Sequence, residues 1–269
     1  MKKPDFSPDW DDEIKRVYQH DIEEFWEPEI APSVYNAYHR RNEVILNIIR
    51  NLLPKNSLIL DIGCAQGTLS LILAEEGYNV FANDIRESFI EYAKLRYEKG
   101  NIKFIVGNFE EIEFKEKFDL IIGTEIIEHL PEPFRFIRKV QNILKENGYF
   151  ILTTPNGRYI RNKNPSYFEI KGKKIDKKYI YSADGDMHYF AFKPFELIRI
   201  INYCGFKDLK IGFLNSFIIC GHMKTAFLYR LFPVRFINFI DKIMTNSSFT
   251  REIFSETILI VCRKNTFQE

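Results

Sequence analysis

The chain has 269 residues, 45% hydrophobic and 28% charged, which suits one large globular domain and excludes an intrinsically disordered polypeptide. A formal net charge of +1 leaves no global field to draw the protein onto nucleic acid or acidic lipid. The four cysteines (Cys64, Cys204, Cys220, Cys262) have neither C-x-x-C nor metal-finger spacing, so reduced thiols in a cytoplasmic protein are expected rather than a disulfide framework. The opening MKKPDFSPDWDDEIKR is polar where a signal peptide needs an apolar run. The stretch Ile211 to Met223 is too short for a bilayer crossing, which takes about 20 apolar residues. Peripheral contact at the inner face of a membrane is the most that these features admit.

Residues 1–37 mix acids, prolines and aromatics and are expected to form a helical cap of one or two short helices. From Tyr38 to Leu53, Val44, Ile45, Ile48, Ile49 and Leu52 recur at helical spacing until Pro54 stops the helix. A strict alternation follows. Leu58–Ile62 reads as a buried strand, Thr68–Glu76 as a helix, Asn79–Asn83 as a strand and Ser88–Lys99 as its helix. Ile102–Val106 and Phe118–Ile122 are the third and fourth strands, Phe134–Lys145 is a helix and Gly148–Thr154 the fifth strand. Such alternation predicts an α/β fold, a doubly wound and mostly parallel sheet with helices on both faces. Residues 156–189 read as a basic lid and Pro194–Cys204 as a helix. Phe206–Phe213 and Thr257–Cys262 read as final strands, flanking a helical insertion over 215–255.

The strongest motif is LILDIGCAQG, residues 58–67. A strand enters a turn holding Gly63 and Gly67, and a helix follows at once, so backbone N–H groups can approach a ligand. Asp84 ends the second strand about 20 residues later, where a carboxylate can accept both hydroxyls of a ribose. Asp61 sits just before the loop. The spacing Asp-x-Gly-x-x-x-Gly lacks the glycine that admits a pyrophosphate, so a ligand with ribose and adenine but no phosphates fits best.

With these motifs in order, the stretch Leu58–Asn156 resembles the class I S-adenosylmethionine-dependent methyltransferases. The resemblance implies a Rossmann-like sheet of seven strands with the last antiparallel, and S-adenosyl-L-methionine as cofactor. It assigns the loop Gly63, Cys64, Ala65 and Gly67 to the methionine part and Asp84, with Ile85 beside it, to the ribose. Asn108 and Phe109 fall where adenine lies, Asn108 departing from the usual Asp, and Thr124 and Glu125 flank the cofactor.

Chemistry should sit at the carboxyl ends of the fourth and fifth strands. There TEIIEHL, residues 124–130, would bring Glu125, Glu128 and His129 onto one face if it turned helically, with His188 as a fourth group. Carboxylates and imidazoles suit Mg²⁺ or Mn²⁺. This pattern resembles two metal-using branches of the superfamily, the ubiquinone-biosynthesis O-methyltransferases and the small-RNA 3′-terminal 2′-O-methyltransferases. In both, a metal ion would bind a hydroxyl pair and lower the pKa of the attacking oxygen. Two other readings stay open: His129 as a metal-free general base or substrate contact, with Glu128 and His188 beside it, or a structural turn. The turn Thr153–Asn156 should border the acceptor or simply end its strand, and His20, His39 and His222 read as surface or packing residues.

On the substrate side, the lid carries Arg158, Arg161, Lys163, Lys171, Lys173, Lys174, Lys177 and Lys178, interleaved with Tyr159, Tyr167, Tyr179 and Tyr181. It would suit an anionic acceptor or be a solvated loop. The insertion interleaves Phe217, Phe227, Phe232, Phe236 and Phe239 with Lys224, Arg230, Arg235 and Lys242, either as a membrane-interface element or as a packed subdomain. The expected activity is O-methylation of a hydroxyl on a small molecule, glycan or lipid-linked intermediate. The alternatives are RNA 2′-O-methylation and a non-catalytic cofactor-binding partner subunit. The sequence sets no oligomeric state.

Overall fold

In the computed structural model, which describes residues 1–171 and 188–265, strands β1 (Leu58–Ile62), β2 (Asn79–Asp84), β3 (Asn101–Val106), β4 (Phe118–Thr124), β5 (Leu144–Pro155), β6 (Phe206–Ser216) and β7 (Ser255–Lys264) form one sheet. Their order is β3-β2-β1-β4-β5-β7-β6. The pairs among β1 to β5 are parallel, and β7 runs antiparallel to both β5 and β6. This is the doubly wound plan expected from the alternation of strands and helices, with the seven strands and antiparallel last strand that the resemblance implies.

The apolar runs of the central strands follow from burial on both faces. Ile59, Leu120 and Ile151 face α2 (Pro32–Leu52) and α3 (Thr68–Glu75), where Ile45, Ile49 and Leu73 meet them. Their chain neighbours Leu60, Ile121 and Leu152 point the other way, toward α5 (Pro133–Ile143) and α7 (Pro194–Tyr203), with Phe136, Val140, Leu197 and Ile200. Each such fully buried side chain stabilises the fold by about 1.5–3 kcal/mol relative to exposure. The order reverses between β1 and β4, so loops after β1 and β4 splay apart there and leave a crevice.

A cap covers this crevice. Helix α1 (Asp12–Asp21) runs into a single π turn, Ile22–Trp26, and packs Ile14 and Val17 against Tyr92 of α4 (Glu87–Arg96). Beneath it lies a buried ion pair, Arg96 Nη1 to Asp21 Oδ1 at 3.1 Å, both side chains 0% exposed. Trp26 Nε1 and Tyr92 Oη donate to Asp21 Oδ2 at 2.7 and 2.8 Å. Arg96 Nη1 also donates to the Gln66 carbonyl at 2.8 Å and to Thr68 Oγ1 at 2.7 Å. One guanidinium therefore joins the cap to the loop after β1.

The structure departs from the sequence reading in four places. Helix α2 starts at Pro32 and crosses position 37/38, because proline favours the first turn while residues 33–41 are too polar to show a periodicity. Residues 124–130 are not a continuous helix: Glu125 has φ +50° and only Ile127–His129 make a 3₁₀ turn. The described part of the lid packs onto the domain, with bridges Asn156 to Phe192 and Ser166 to Ala191 and a short helix α6 (Tyr167–Ile170). Tyr159 and Tyr167 are buried there and cannot stack on an acceptor, while Lys173, Lys174, Lys177, Lys178, Tyr179 and Tyr181 lie outside the described residues. Finally, three strands run further than expected: β5 from Leu144, where helix was expected as far as Lys145, β6 to Ser216, and β7 from Ser255 to Lys264.

Between those strands lie α8 (Leu228–Leu231), α9 (Val234–Asn246) and α10 (Arg251–Phe254). Helix α9 buries Ile237, Asp241 and Thr245. Asp241 Oδ1 accepts from the backbone N–H of Ser216 at 2.7 Å, and its Oδ2 lies 3.6 Å from Arg40 Nε, so a buried carboxylate fastens the insertion to β6 and α2. Phe236, Phe239 and Ile243 stand exposed on the opposite side. Among the described residues no helix is long and apolar enough to cross a membrane.

Candidate active site

The loop after β1 is set by its backbone. Gly63 has φ +67°, a conformation that favours glycine, and a Cβ there would lie 2.9 Å from Ile126 Cδ1, which would have to shift. The Cys64 N–H donates to the Asn83 carbonyl at 2.9 Å, drawing the loop across the end of β2. Gly67 starts α3 and presses against Ala93 of α4, 2.8 Å from a notional Cβ. It is a packing position and, unlike Gly63, Cys64 and Ala65, does not line the crevice.

The crevice is a cavity of about 580 Å³, lined by residues from the cap, the β1 loop and the ends of β2 and β4. Asp84 closes β2, its Oδ2 accepting from the Ala65 N–H at 3.0 Å and its Oδ1 from the Arg86 N–H at 2.9 Å. The Ile85 N–H also bonds to this carboxylate, and burial raises its pKa. Ile85, 39% exposed, offers an apolar wall beside it. Asp61 is buried and accepts from Ser70 Oγ at 2.5 Å through Oδ2, while among the described residues its Oδ1 has no hydrogen-bond partner. Burial, with Asp84 nearby, pushes its carboxyl up to about 6.

Asn108 and Phe109 form the far wall. The Asn108 amide is engaged in its own turn, Oδ1 accepting from the Glu110 N–H at 3.0 Å and Nδ2 donating to Glu111 at 3.1 Å. Phe109 packs edge-on against Phe136, with ring centroids 5.4 Å apart.

The α2 helix and the cap contribute groups that the sequence reading missed. Arg41 projects into the cavity 3.9 Å from Glu125 Oε1, beside Tyr38 and the buried Gln66, whose Nε2 donates to Glu24 at 2.6 Å. The Glu125 carboxylate raises the Arg41 pKa against its burial. The available signal was a pair of polar groups, Tyr38 and Arg41, one turn apart at the start of an otherwise core-facing helix. His20 lines the cavity too, whereas His39 stacks between Phe25 and Tyr35 as a packing residue.

At the other end of the cavity stand Thr124, Glu125, His129 and His188. The rings of His129 and His188 meet edge to face at 4.8 Å. Behind them Glu128 is 0% exposed, its Oε1 3.9 Å from His129 Nε2. Thr154 Oγ1 donates to Glu128 Oε2 at 2.9 Å, and the Tyr189 N–H donates to the Glu128 carbonyl at 3.1 Å. Burial, reinforced by Glu125, holds the Glu128 carboxyl well above its usual range. Glu128, His129 and His188 each offer a donor atom, all within 4.8 Å of one another. Glu125 is not in this group, because its left-handed backbone turns the carboxylate toward Arg41. The expected set of two carboxylates and two imidazoles is thus one carboxylate and two imidazoles.

A methyltransferase-domain family matches residues 53–184. The ubiquinone biosynthesis O-methyltransferase of Pelagibacter ubique is 30% identical over 218 residues, spanning 76% of this chain and 88% of that protein. Its counterpart in Rickettsia typhi is 36% identical across 62% of this chain and 68% of the relative. The chain belongs to the class I S-adenosylmethionine-dependent methyltransferases. Within them it falls in the branch of the ubiquinone biosynthesis O-methyltransferases. An S-adenosylmethionine-dependent methyltransferase of Methanosarcina mazei shares the fold, with a TM-score of 0.52 at 20% identity over 81% of this chain and 97% of its own. A methyltransferase of this class uses S-adenosylmethionine as methyl donor, and the cavity of this one lies at the carboxyl ends of β1, β2 and β4.

Proposed function

We propose that this methyltransferase transfers a methyl group to a hydroxyl oxygen of a small-molecule or lipid-linked acceptor bearing neighbouring hydroxyls, at the end of the cavity marked by Glu128, His129 and His188. The observation that carries the reading is that two facing imidazoles, backed by a buried carboxylate, share one cavity with Asp61 and Asp84. The names of the relatives, O-methyltransferases of ubiquinone biosynthesis, support oxygen as the nucleophile.

The donor set fits S-adenosylmethionine on its chemistry. Asp61 Oδ1, without a hydrogen-bond partner among the described residues, suits an ammonium, Arg41 a carboxylate and the Asp84 carboxylate a ribose diol, with Ile85 and Phe109 offering apolar walls to an adenine. When bound, the cofactor supplies a methyl group already activated on sulfonium. The protein must then orient the acceptor oxygen in line, exclude water and take up a proton. His129, with the Glu128 carboxyl 3.9 Å from its Nε2, is placed to receive that proton.

A divalent metal fits the same residues. Glu128 Oε1 is buried and lacks a hydrogen-bond partner among the described residues, the state of a ligand atom in want of a cation. One carboxylate with two imidazoles favours Mn²⁺ over Mg²⁺, because imidazole suits the later first-row ions better than Mg²⁺. Bound there, a metal would lower the pKa of a coordinated hydroxyl. Calorimetric titration of Mn²⁺ into the S-adenosylhomocysteine-bound protein tests this. One-site binding that Glu128→Gln and His188→Ala both abolish is expected. Binding indifferent to both, or none, would remove the metal and leave His129 as a metal-free base.

A further inference from the structure

A second group of ligating side chains lies outside the cavity, on the turn that follows β6. Cys220 and His222 are two residues apart, with Gly221 between them at φ +67°. A Cβ at that glycine would lie 2.9 Å from Ser33, so the turn is pressed against the first turn of α2 and its left-handed geometry is fixed. Thr225 Oγ1 closes it by donating to the His222 carbonyl at 2.6 Å, with the Phe217 carbonyl 3.0 Å away. The third group, Glu256, is the second residue of β7, and its backbone is anchored by the Asn156 N–H, 2.6 Å from its carbonyl.

The ligand atoms converge. Cys220 Sγ is 3.0 Å from Glu256 Oε2, His222 Nε2 is 3.8 Å from Glu256 Oε1, and all three donors fall within 4.8 Å of one another. The other imidazole nitrogen, Nδ1, is 2.7 Å from the hydroxyl of Tyr159, a largely buried side chain. That contact leaves Nε2 as the nitrogen facing the cluster, the arrangement by which an outer partner orients a metal-bound histidine. All three residues are half-buried, so an ion has a path from solvent.

We propose that Cys220, His222 and Glu256 bind one Zn²⁺, with Tyr159 orienting the imidazole and a water in the fourth position. One thiolate, one imidazole and one carboxylate form a tetrahedral zinc set with an open place, and thiolate selects a borderline-soft ion over Mg²⁺ or Mn²⁺. As the metal binds, the Cys220 S–H bond breaks, the Sγ–Zn bond forms, and one proton passes to solvent. The ion clamps the start of the 215–255 insertion onto β7. This site is independent of the Glu128–His129–His188 group and of the reaction proposed there.

Cobalt titration of the full chain, reduced and bound to S-adenosylhomocysteine, tests the site. A near-ultraviolet thiolate-to-cobalt band that saturates, at one equivalent in His129→Ala, and is displaced by Zn²⁺ is expected. It should vanish in Cys220→Ser, weaken in His222→Gln and persist in His129→Ala. Zn²⁺ should raise the melting temperature of His129→Ala but not of His129→Ala combined with Cys220→Ser, whose fold is verified by retained S-adenosylhomocysteine binding. Absence of the band, or a band that survives Cys220→Ser, overturns the proposal.

Discussion

Asp61 shows how a single position can carry both a fold and a binding preference. Its folded-state carboxyl titrates at about 6, above the roughly 3.9 of an unfolded chain. Because the folded value is the higher one, Asp61 contributes stability that is fully present below about pH 4 and is lost as the pH rises through 6. Above pH 6 the free protein therefore holds a buried anion at a cost, and a ligand ammonium relieves it. Affinity for S-adenosylhomocysteine should accordingly be level above pH 6 and fall as the pH drops below it, by at most about tenfold per unit. Calorimetry from pH 5 to 8 should show this step in the wild type. Asp61→Asn should bind more weakly throughout and show no step. A step that persists in Asp61→Asn would assign it to another group. The sequence made Asp61, Gly63 and Asp84 legible because each is tied to a local motif. It hid Arg41, and it hid Glu256 as a neighbour of the Cys220–His222 turn, because both reach their partners only through tertiary packing. The backbone of Glu125 was equally hidden: a left-handed φ at a non-glycine residue leaves no mark in composition.

The elements separate into those that speak for themselves and those that need partners. Strands β1 and β4 and the later half of β5 are apolar runs because both of their faces are buried, so they could be read directly, whereas β3 at the sheet edge is half-exposed and was legible only from its place in the alternation. The first turns of α2 carry no such pattern because they face the cap and the cavity rather than the core. The cap itself depends on Arg96, Asp21, Tyr92 and Trp26, separated in sequence but joined around one carboxylate. Removing one partner of a buried pair leaves the other charge uncompensated, at a cost of about 3–5 kcal/mol. Arg96→Met should therefore lower the unfolding free energy by roughly that amount in urea titrations. It should also weaken cofactor binding, because the same guanidinium holds the Gln66 carbonyl of the β1 loop. A variant with unchanged cofactor affinity would separate the cap from the binding loop.

Across the whole molecule, near-zero net charge conceals local asymmetry. Helix α9 buries Ile237, Asp241 and Thr245 while exposing Phe236, Phe239 and Ile243, with Phe232 in line before them and Arg235 and Lys242 close by. An apolar stripe edged by cations suits the interface of an anionic bilayer, where a lipid-linked acceptor resides. Cosedimentation with vesicles containing anionic lipid should retain the protein, and Phe236→Ser combined with Phe239→Ser should release it. Equal retention of that double variant would instead leave α9 as a packing helix of the domain.

The reaction itself is tested most directly by the product. The full chain is incubated with methyl-labelled S-adenosylmethionine and a panel of acceptors with neighbouring hydroxyls, and the site of the label is read by mass spectrometry. We expect the methyl on oxygen, at a rate that His129→Ala lowers by about 10²–10⁴-fold, the usual contribution of a positioned acid–base group. Label on nitrogen or carbon, or a rate untouched by His129→Ala, would contradict the assignment of this end of the cavity to hydroxyl methylation.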